Sequence, residues 1–204
     1  MVFKIYAALS YLIFTIIMMT ISQFGVEMYF NNLGSLFLLS LMLLDIRKDV
    51  LSRSGYMGLV IFSFFHSFGA CWLYSYVPYN EWFISIFNFD FDQYFNLSRN
   101  HYDRLVHFLF GLFFVPTVRD LFLKYNFNYK MLLFVTFLSI QTFSMLYELF
   151  EWGIAVFLSE DMAESYNGQQ GDMWDAHKDM ALAMLGSLIS IFYIKNQPIK
   201  KLIG

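Results

Sequence analysis

Long apolar stretches separated by short polar segments dominate the pattern of this chain. A transmembrane helix needs about 20 mainly apolar residues, so each stretch of that length predicts one membrane-spanning helix. Six stretches qualify: Ile5–Phe24, Met28–Leu44, Gly55–Val77, Tyr102–Leu123, Met131–Leu158 and Trp174–Ile194. The pattern therefore predicts an all-α fold, a polytopic membrane helical bundle of about six transmembrane helices, with residues 1–204 forming a single integral membrane domain.

The basic residues predict how the bundle is oriented. When both termini are placed in the cytoplasm, ten of the 13 Lys and Arg residues and three of the 16 Asp and Glu residues lie on the inner side. Loops rich in Lys and Arg face the cytoplasm in membrane proteins. An even number of spans agrees with two cytoplasmic termini, and the outer end of the bundle is then acidic.

Composition supports the same class of protein. The chain is 58% hydrophobic and 14% charged, whereas soluble domains average about 45–50% apolar and about 25% charged residues. A single cysteine, Cys71, excludes a disulfide-stapled scaffold. We expect membrane lipids as partners and no nucleic acid, because the outer face is acidic. The predicted location is the bacterial inner (cytoplasmic) membrane, and the oligomeric state stays open.

Residues 78–100 form an aromatic-rich segment on the predicted outer side. Seven Phe, Tyr and Trp side chains fall between Trp82 and Phe95. One interpretation is an aromatic anchor in the membrane interface; the other is a lid over a lipid-facing pocket. The alternation in FNFDFDQYF leaves a short strand and a helix both open.

Ionisable residues inside spans are the strongest indication of a functional site, because each costs about 2.5–3.5 kcal/mol on insertion scales. Three predicted helices each carry a pair spaced to share one helix face: Asp103 with His107, Glu148 with Glu151, and Asp175 with Asp179. A rise of 1.5 Å per residue places all three pairs near the outer end. We expect His66 to lie below the cluster, close to its floor.

Part of this cluster can be explained by purely structural roles. Asp103 and Asp175 suit ordinary helix caps, and Arg104 suits a carboxylate partner. Glu148 and Glu151 lie far from a helix N-terminus and repel each other, so they need a proton, a base or a cation. Carboxylates and imidazole on facing helices resemble the ligand sets of helical-bundle metal sites.

We assign candidate catalytic roles to Asp103, Arg104, His107, Glu148 and Glu151. The candidate metal ligands are His107, Glu148, Glu151, Asp175 and Asp179. Further residues expected around the cluster are His66, Tyr147, Gln170, Asp172 and Trp174. The implied cofactor is a divalent metal of open identity: imidazole with carboxylate suits Zn²⁺, Fe²⁺ or Mn²⁺, and carboxylates alone suit Mg²⁺ or Ca²⁺.

Several motifs carry a family resemblance across most of Gly55–Gly186. They are H-x-x-G at His66–Gly69, Tyr76-Val77-Pro78, RNHYDRLVHFLFG at Arg99–Gly111, YELFEW at Tyr147–Trp152 and GQQGDMWDAHKDM at Gly168–Met180. In these the chain resembles the YjdF-like predicted inner-membrane proteins of bacteria. The resemblance implies a fold and a membrane location and supplies no catalytic residues.

A looser similarity is to VanZ-like membrane proteins. The matching positions are Asp103-Arg104 with His107-Phe108, then Glu148 or Glu151, then Asp175 with Asp179. The chain departs from that family where the VanZ pattern has Arg and Asn near the aspartates. The similarity therefore implies an envelope-facing location, without the family's role in glycopeptide tolerance.

Three functions stay open on the sequence. The first is a metal-dependent membrane enzyme acting on a lipid or lipid-linked envelope substrate. The second is an ion- or proton-coupled carrier that uses the same carboxylates as a relay. The third is a structural or accessory membrane protein whose polar cluster locks the helices together. A high-lying cluster without repeats mildly favours the first and third.

Overall fold

The computed structural model describes residues 1–157 and 170–195, and within them it is all-helical. The described helices are α1 Val2–Ile21, α2 Val26–Lys48, α3 Arg53–Cys71, α4 Tyr79–Phe87, α5 Phe91–Phe95, α6 Tyr102–Phe122, α7 Tyr129–Phe157 and α8 Asp175–Lys195. The predicted all-α membrane bundle is confirmed.

Five of these helices, α1, α2, α3, α6 and α7, are long and apolar enough to cross a membrane. The sixth predicted span corresponds to α8, which is also 21 residues long. It is less apolar than the other five, and Asp175, Lys178 and Asp179 occupy its first two turns. Those charges belong to the functional cluster described below.

Three sequence-based predictions reach beyond the described residues. Leu158, the end of the fifth predicted span, lies outside them. The first two residues of the Gly168–Met180 motif also lie outside, as do Lys200 and Lys201, which count among the inner basic residues.

The aromatic segment 78–100 is helical in the structure, which resolves the choice between helix and strand. It forms α4 and α5, and no residue in either helix is buried. Trp82 packs against Phe68 and Trp72 at the end of α3. No residue of this segment lines either of the two pockets described below.

Contacts between helix ends show that consecutive long helices run in opposite directions. At one end, Lys4 pairs with Asp45 and Tyr129 donates to the carbonyl of Ile194. At the other end, Asn100 donates to the carbonyl of Val77. We call this second end, where α6 and α8 begin and α7 finishes, the site end.

Helix α6 is the centre of the bundle, packed between α3, α7 and α8. Backbones approach closely because small residues lie at the crossings. A Cβ atom at Gly111 would lie 2.0 Å from the carbonyl oxygen of Ala183, and one at Gly186 would lie 2.2 Å from that of Phe108. The small residues of α8 therefore serve packing within the chain.

Buried ion pairs fix the end opposite the site. Lys4 Nζ lies 2.6 Å from Asp45 and 2.7 Å from Asp49, which joins α1 to α2. Asp120 on α6 accepts hydrogen bonds from Arg119 and from the backbone N–H of Ser52. These contacts hold α1, α2, α3 and α6 in register, so the polar groups at the site end face fixed partners.

The crossing of α6 and α8 predicts the effect of Gly186→Ala. We expect this change to lower the free energy of unfolding by about 1–3 kcal/mol, the usual cost of overpacking. Gly153→Ala is the matched control, because a Cβ there meets no described atom within 4 Å. Thermal denaturation of both variants in one detergent measures the difference, and equal melting temperatures would contradict this packing.

The orientation with cytoplasmic termini stays a prediction, and cysteine labelling tests it. In a Cys71→Ser background, Ser85→Cys on exposed α4 should react with an impermeant maleimide added to intact cells. Asn126→Cys, in the exposed turn between α6 and α7, should react only after permeabilisation. The reverse labelling pattern would invert the orientation.

Candidate functional site

The three predicted residue pairs converge at the site end of the bundle. Asp103 and His107 lie in the first two turns of α6, Asp175 and Asp179 in the first two turns of α8, and Glu148 and Glu151 in the last third of α7. All six are buried, with 2–9% of each residue exposed. They converge because α6 packs against both α7 and α8.

Asp103, His107 and Asp179 form the closest group, which we call the ligand trio. One ligand atom from each residue lies within 4.8 Å of the others. His107 Nε2 is 3.7 Å from Asp103 Oδ1, the partner one turn earlier on the same helix. Two carboxylates and one imidazole at this spacing can hold a divalent cation with three protein ligands, as catalytic zinc sites do.

Glu148 approaches the other nitrogen of the same imidazole. Its Oε1 lies 3.5 Å from His107 Nδ1, so His107 lies between two carboxylates on different helices. A metal-bound histidine usually directs its second ring nitrogen to a carboxylate, which fixes the tautomer and the ring orientation. Tyr147 adds an edge-on ring contact to His107, with ring centroids 5.7 Å apart.

Two carboxylate oxygens in this group have no hydrogen-bond partner among the described residues. They are Glu148 Oε1 and Asp179 Oδ1, on residues that are 7% and 2% exposed. A buried acceptor without a partner costs about 1–3 kcal/mol, and more when it is charged. A shared proton, a water molecule or a cation would each supply such an oxygen with a partner.

Asp175 has a different role from its neighbour Asp179. It is held by ion pairs with the guanidinium groups of Arg99 and Arg104. Arg99 lies in the segment that leads into α6, and Arg104 lies in the first turn of α6. Asp175 therefore joins the start of α8 to the start of α6, and its charge is compensated without a metal.

Asp172 completes this ion-pair network just outside the membrane-spanning segments. It contacts Arg104 and lies 2.6 Å from Lys178 Nζ. The hydrogen bond from Lys178, followed by the one from the Trp174 N–H, holds the pKa of Asp172 well below its ordinary value. Asp172 is thus a carboxylate near neutral pH, which keeps the basic side chains anchored beside the cluster.

A pocket of about 330 Å³, which we call the polar pocket, opens between the end of α7 and the start of α8. Its lining includes Glu148, Glu151, Asp172 and Asp175 together with apolar residues such as Leu149. Glu148 lines this pocket and also contacts His107, so it connects the pocket to the ligand trio.

The remaining predicted residues lie around this centre. Gln170 exchanges two hydrogen bonds with the backbone of Asn100, which ties together the segments that precede α8 and α6. Trp174 is more than half exposed and packs edge-on against His177. His66 hydrogen-bonds Tyr74 through Nδ1 and lies against Gly34 of α2. No hydrogen bond, ion pair or ring contact joins His66 to the ligand trio among the described residues, and its expected place near the floor of the cluster stays a prediction.

Arg99 is the residue that sequence reasoning missed. Its side chain is 6% exposed and pairs with Asp175, 76 residues further along the chain. The sequence feature that could have indicated it is its place in the same motif as Asp103 and His107, just before the start of α6. A charge count also pointed to it, since the cluster holds more acidic than basic groups.

The fold and this cluster define the class: a polytopic helical membrane protein with buried carboxylates and a histidine at one end of its bundle. The chain belongs to the family described as Predicted membrane protein (DUF2238), which matches residues 4–197. The sequence resemblance to YjdF-like proteins is thereby confirmed, while the looser similarity to VanZ-like proteins stays a prediction.

One curated relative is the Inner membrane protein YjdF of Escherichia coli (strain K12). It is 34% identical over 108 residues, which cover 52% of this chain and 51% of the relative. The chain therefore matches about half the length of that relative. No solved structure matches this chain.

The different roles of Asp175 and Asp179 predict opposite stability effects. Asp175→Asn removes the buried carboxylate that pairs with both Arg99 and Arg104 and leaves them only Asp172, so it should lower the free energy of unfolding by about 3 kcal/mol. Asp179→Asn removes an unpartnered carboxylate charge, so in metal-free protein it should leave that free energy unchanged or raise it. Chemical denaturation of both variants with chelator present measures this, and equal destabilisation would refute the division of roles.

Proposed function

We propose that this chain is a metal-dependent membrane enzyme that acts on the polar head of a lipid or lipid-linked substrate. The observation that supports the proposal is the buried ligand trio, in which Asp179 Oδ1 has no hydrogen-bond partner among the described residues, as is also true of the neighbouring Glu148 Oε1. Buried ionisable groups in a membrane bundle are costly and mark functional sites. A cation would satisfy Asp179 Oδ1 and offset the excess negative charge.

In this proposal Asp103, His107 and Asp179 hold the cation. Glu148 orients His107 through the imidazole nitrogen on its side. A mixed imidazole and carboxylate set suits Zn²⁺, Fe²⁺ or Mn²⁺ better than Mg²⁺ or Ca²⁺. When bound, such a metal polarises a phosphoryl or carbonyl oxygen and activates water.

The polar pocket supplies the remaining roles. Glu151 lines it and is 9% exposed, which suits a general base at the pocket wall. Arg104 and Lys178 both contact Asp172, which also lines the pocket. Guanidinium and ammonium groups at that wall suit a phosphate in the substrate.

We place the site at the outer leaflet of the bacterial inner membrane. The relative from Escherichia coli is named an inner membrane protein, and the basic residues favour the cytoplasm for the opposite end of the bundle. The proposed partners are membrane lipids, with no nucleic acid.

One observation favours a second candidate, an ion- or proton-coupled carrier. The members of the ligand trio are 2–8% exposed, and Glu148 lies between His107 and the polar pocket. A carboxylate in that position is also suited to passing a proton or cation inward. The two functions differ in whether the metal-loaded protein alters a lipid chemically.

We expect substitutions at different positions of the site to weaken metal binding to different extents. Asp179→Asn should abolish tight binding of Zn²⁺, and Glu148→Gln should weaken it by about 10–100-fold, as loss of an orienting carboxylate does. Glu81→Gln on exposed α4 is the control and should bind like the wild type. Isothermal titration of purified protein with Zn²⁺ and Mn²⁺ measures these affinities; wild-type protein that binds neither ion would contradict the proposed metal site.

Turnover of lipid tests the enzyme function directly. Wild-type protein in vesicles of phosphatidylglycerol and phosphatidylethanolamine should release a water-soluble headgroup product only when Zn²⁺ or Mn²⁺ is present. Asp179→Asn should remove this turnover, because the ligand trio is then incomplete. Mass spectrometry of lipid and aqueous fractions provides the readout. Metal binding without lipid conversion, together with metal-dependent ion flux across the vesicles, would favour the carrier.

A further inference from the structure

We infer that an apolar groove between α2 and α7 holds an acyl chain of a phospholipid whose headgroup occupies the polar pocket. This inference rests on the proposed function and specifies its substrate class. It depends on three observations, namely the composition of the groove, the wall residue Leu149 that it shares with the polar pocket, and the basic groups beside that pocket.

The groove has a volume of about 820 Å³ and an almost wholly apolar lining. Its walls include Phe30, Leu33 and Phe37 of α2 facing Phe150 and Ile154 of α7. The two helices make no close backbone contact with each other, so their facing side chains leave this space between them. Its location between two membrane-spanning helices makes lipid hydrocarbon the medium in contact with it.

The lining contains few polar side chains, namely those of Glu27, Asn31 and Tyr147. The side-chain amide of Asn31 donates to the carbonyl of Glu27, one turn earlier on α2. A water-filled channel needs polar groups along its lumen, whereas most of this lining is apolar. The occupant is therefore apolar over most of its length.

Helix α7 connects the groove to the site. Leu149 lines both the groove and the polar pocket. Tyr147 lines the groove and also packs against His107 of the ligand trio. An occupant that extends from one space to the other must therefore be amphiphilic, with an apolar chain on one side of Leu149 and a polar head on the other.

The polar pocket is lined by the carboxylates of Glu148, Glu151, Asp172 and Asp175, so an anionic head suits it through the cation of the proposed function together with the basic side chains that pair with Asp172. Lys178 is about half exposed while it pairs with Asp172. Arg104 pairs with Asp172 and Asp175, and its buried Nε has no hydrogen-bond partner among the described residues. Arginine and lysine are the side chains that most often donate hydrogen bonds to phosphate groups. A phospholipid combines this head with chains that match the groove.

Gly153 gives a direct way to block the groove. It lines the groove, and a Cβ at this position meets no described atom within 4 Å. Gly153→Phe should therefore fill the space without disturbing the helix packing. Ala155→Phe is the matched control, because Ala155 is exposed two residues further along α7 and is not part of the groove lining.

Native mass spectrometry of the purified full chain, titrated with palmitoyl-oleoyl-phosphatidylglycerol, tests the inference. The wild type should bind one lipid distinctly more tightly than any further lipid. Gly153→Phe should weaken that first binding at least about ten-fold, since exposing even a few methylene groups has an effect of this size. Ala155→Phe should stay within about two-fold of the wild type.

Two further arms separate the possible failures. Zn²⁺ titration of the same samples should give equal affinities for wild type and Gly153→Phe. If the wild type binds one lipid selectively but binds no metal, the lipid groove is supported and the proposed enzyme function is refuted. Equal lipid binding by all three proteins would overturn the groove. Tighter binding of a polyprenyl phosphate than of the phosphatidylglycerol would also overturn the assignment to an acyl chain.

Discussion

The need to compensate charge inside a membrane-embedded bundle determines the structure at the site end. Five acidic side chains and one imidazole are buried there, in surroundings that favour neutral or paired groups. Arg99 and Arg104 compensate Asp175 and Asp172. The ligand trio and Glu148 receive no such partner among the described residues. The compensated half joins α6 to α8, and the uncompensated half is where we propose that a cation binds.

This division gives the two aspartates of α8 different functions although they lie one turn apart. Asp175 faces the arginines because the chain before α6 lies beside the chain before α8, joined by Asn100 and Gln170. Asp179 lies one turn deeper, beside His107. Close backbone contact at Gly111 and Gly186 brings the two helices near enough for both arrangements. The small residues at the crossing of α6 and α8 thus bring the charged residues at the site end close enough to pair.

The sequence predicted the helices well and the site in part. Apolar length located every long helix, and helical spacing grouped the pairs of Asp103 with His107 and Asp175 with Asp179. The pattern does not encode which face of α7 meets α6, so the distinction between Glu148 at the imidazole and Glu151 at the pocket required the fold. The motif contains Arg99, but its partner Asp175 lies 76 residues further along the chain, so the pairing itself required the fold. His66 has contacts with Tyr74 and α2, because depth alone does not fix direction around a helix.

X-ray absorption spectroscopy of the zinc-loaded protein tests most directly whether His107, Asp103 and Asp179 bind one divalent cation. We expect a four-coordinate shell of nitrogen and oxygen at about 2.0–2.2 Å with scattering from one imidazole. That imidazole scattering should disappear in His107→Gln. A shell of oxygen alone, or imidazole scattering that persists in His107→Gln, would show that the cation is not bound by this trio.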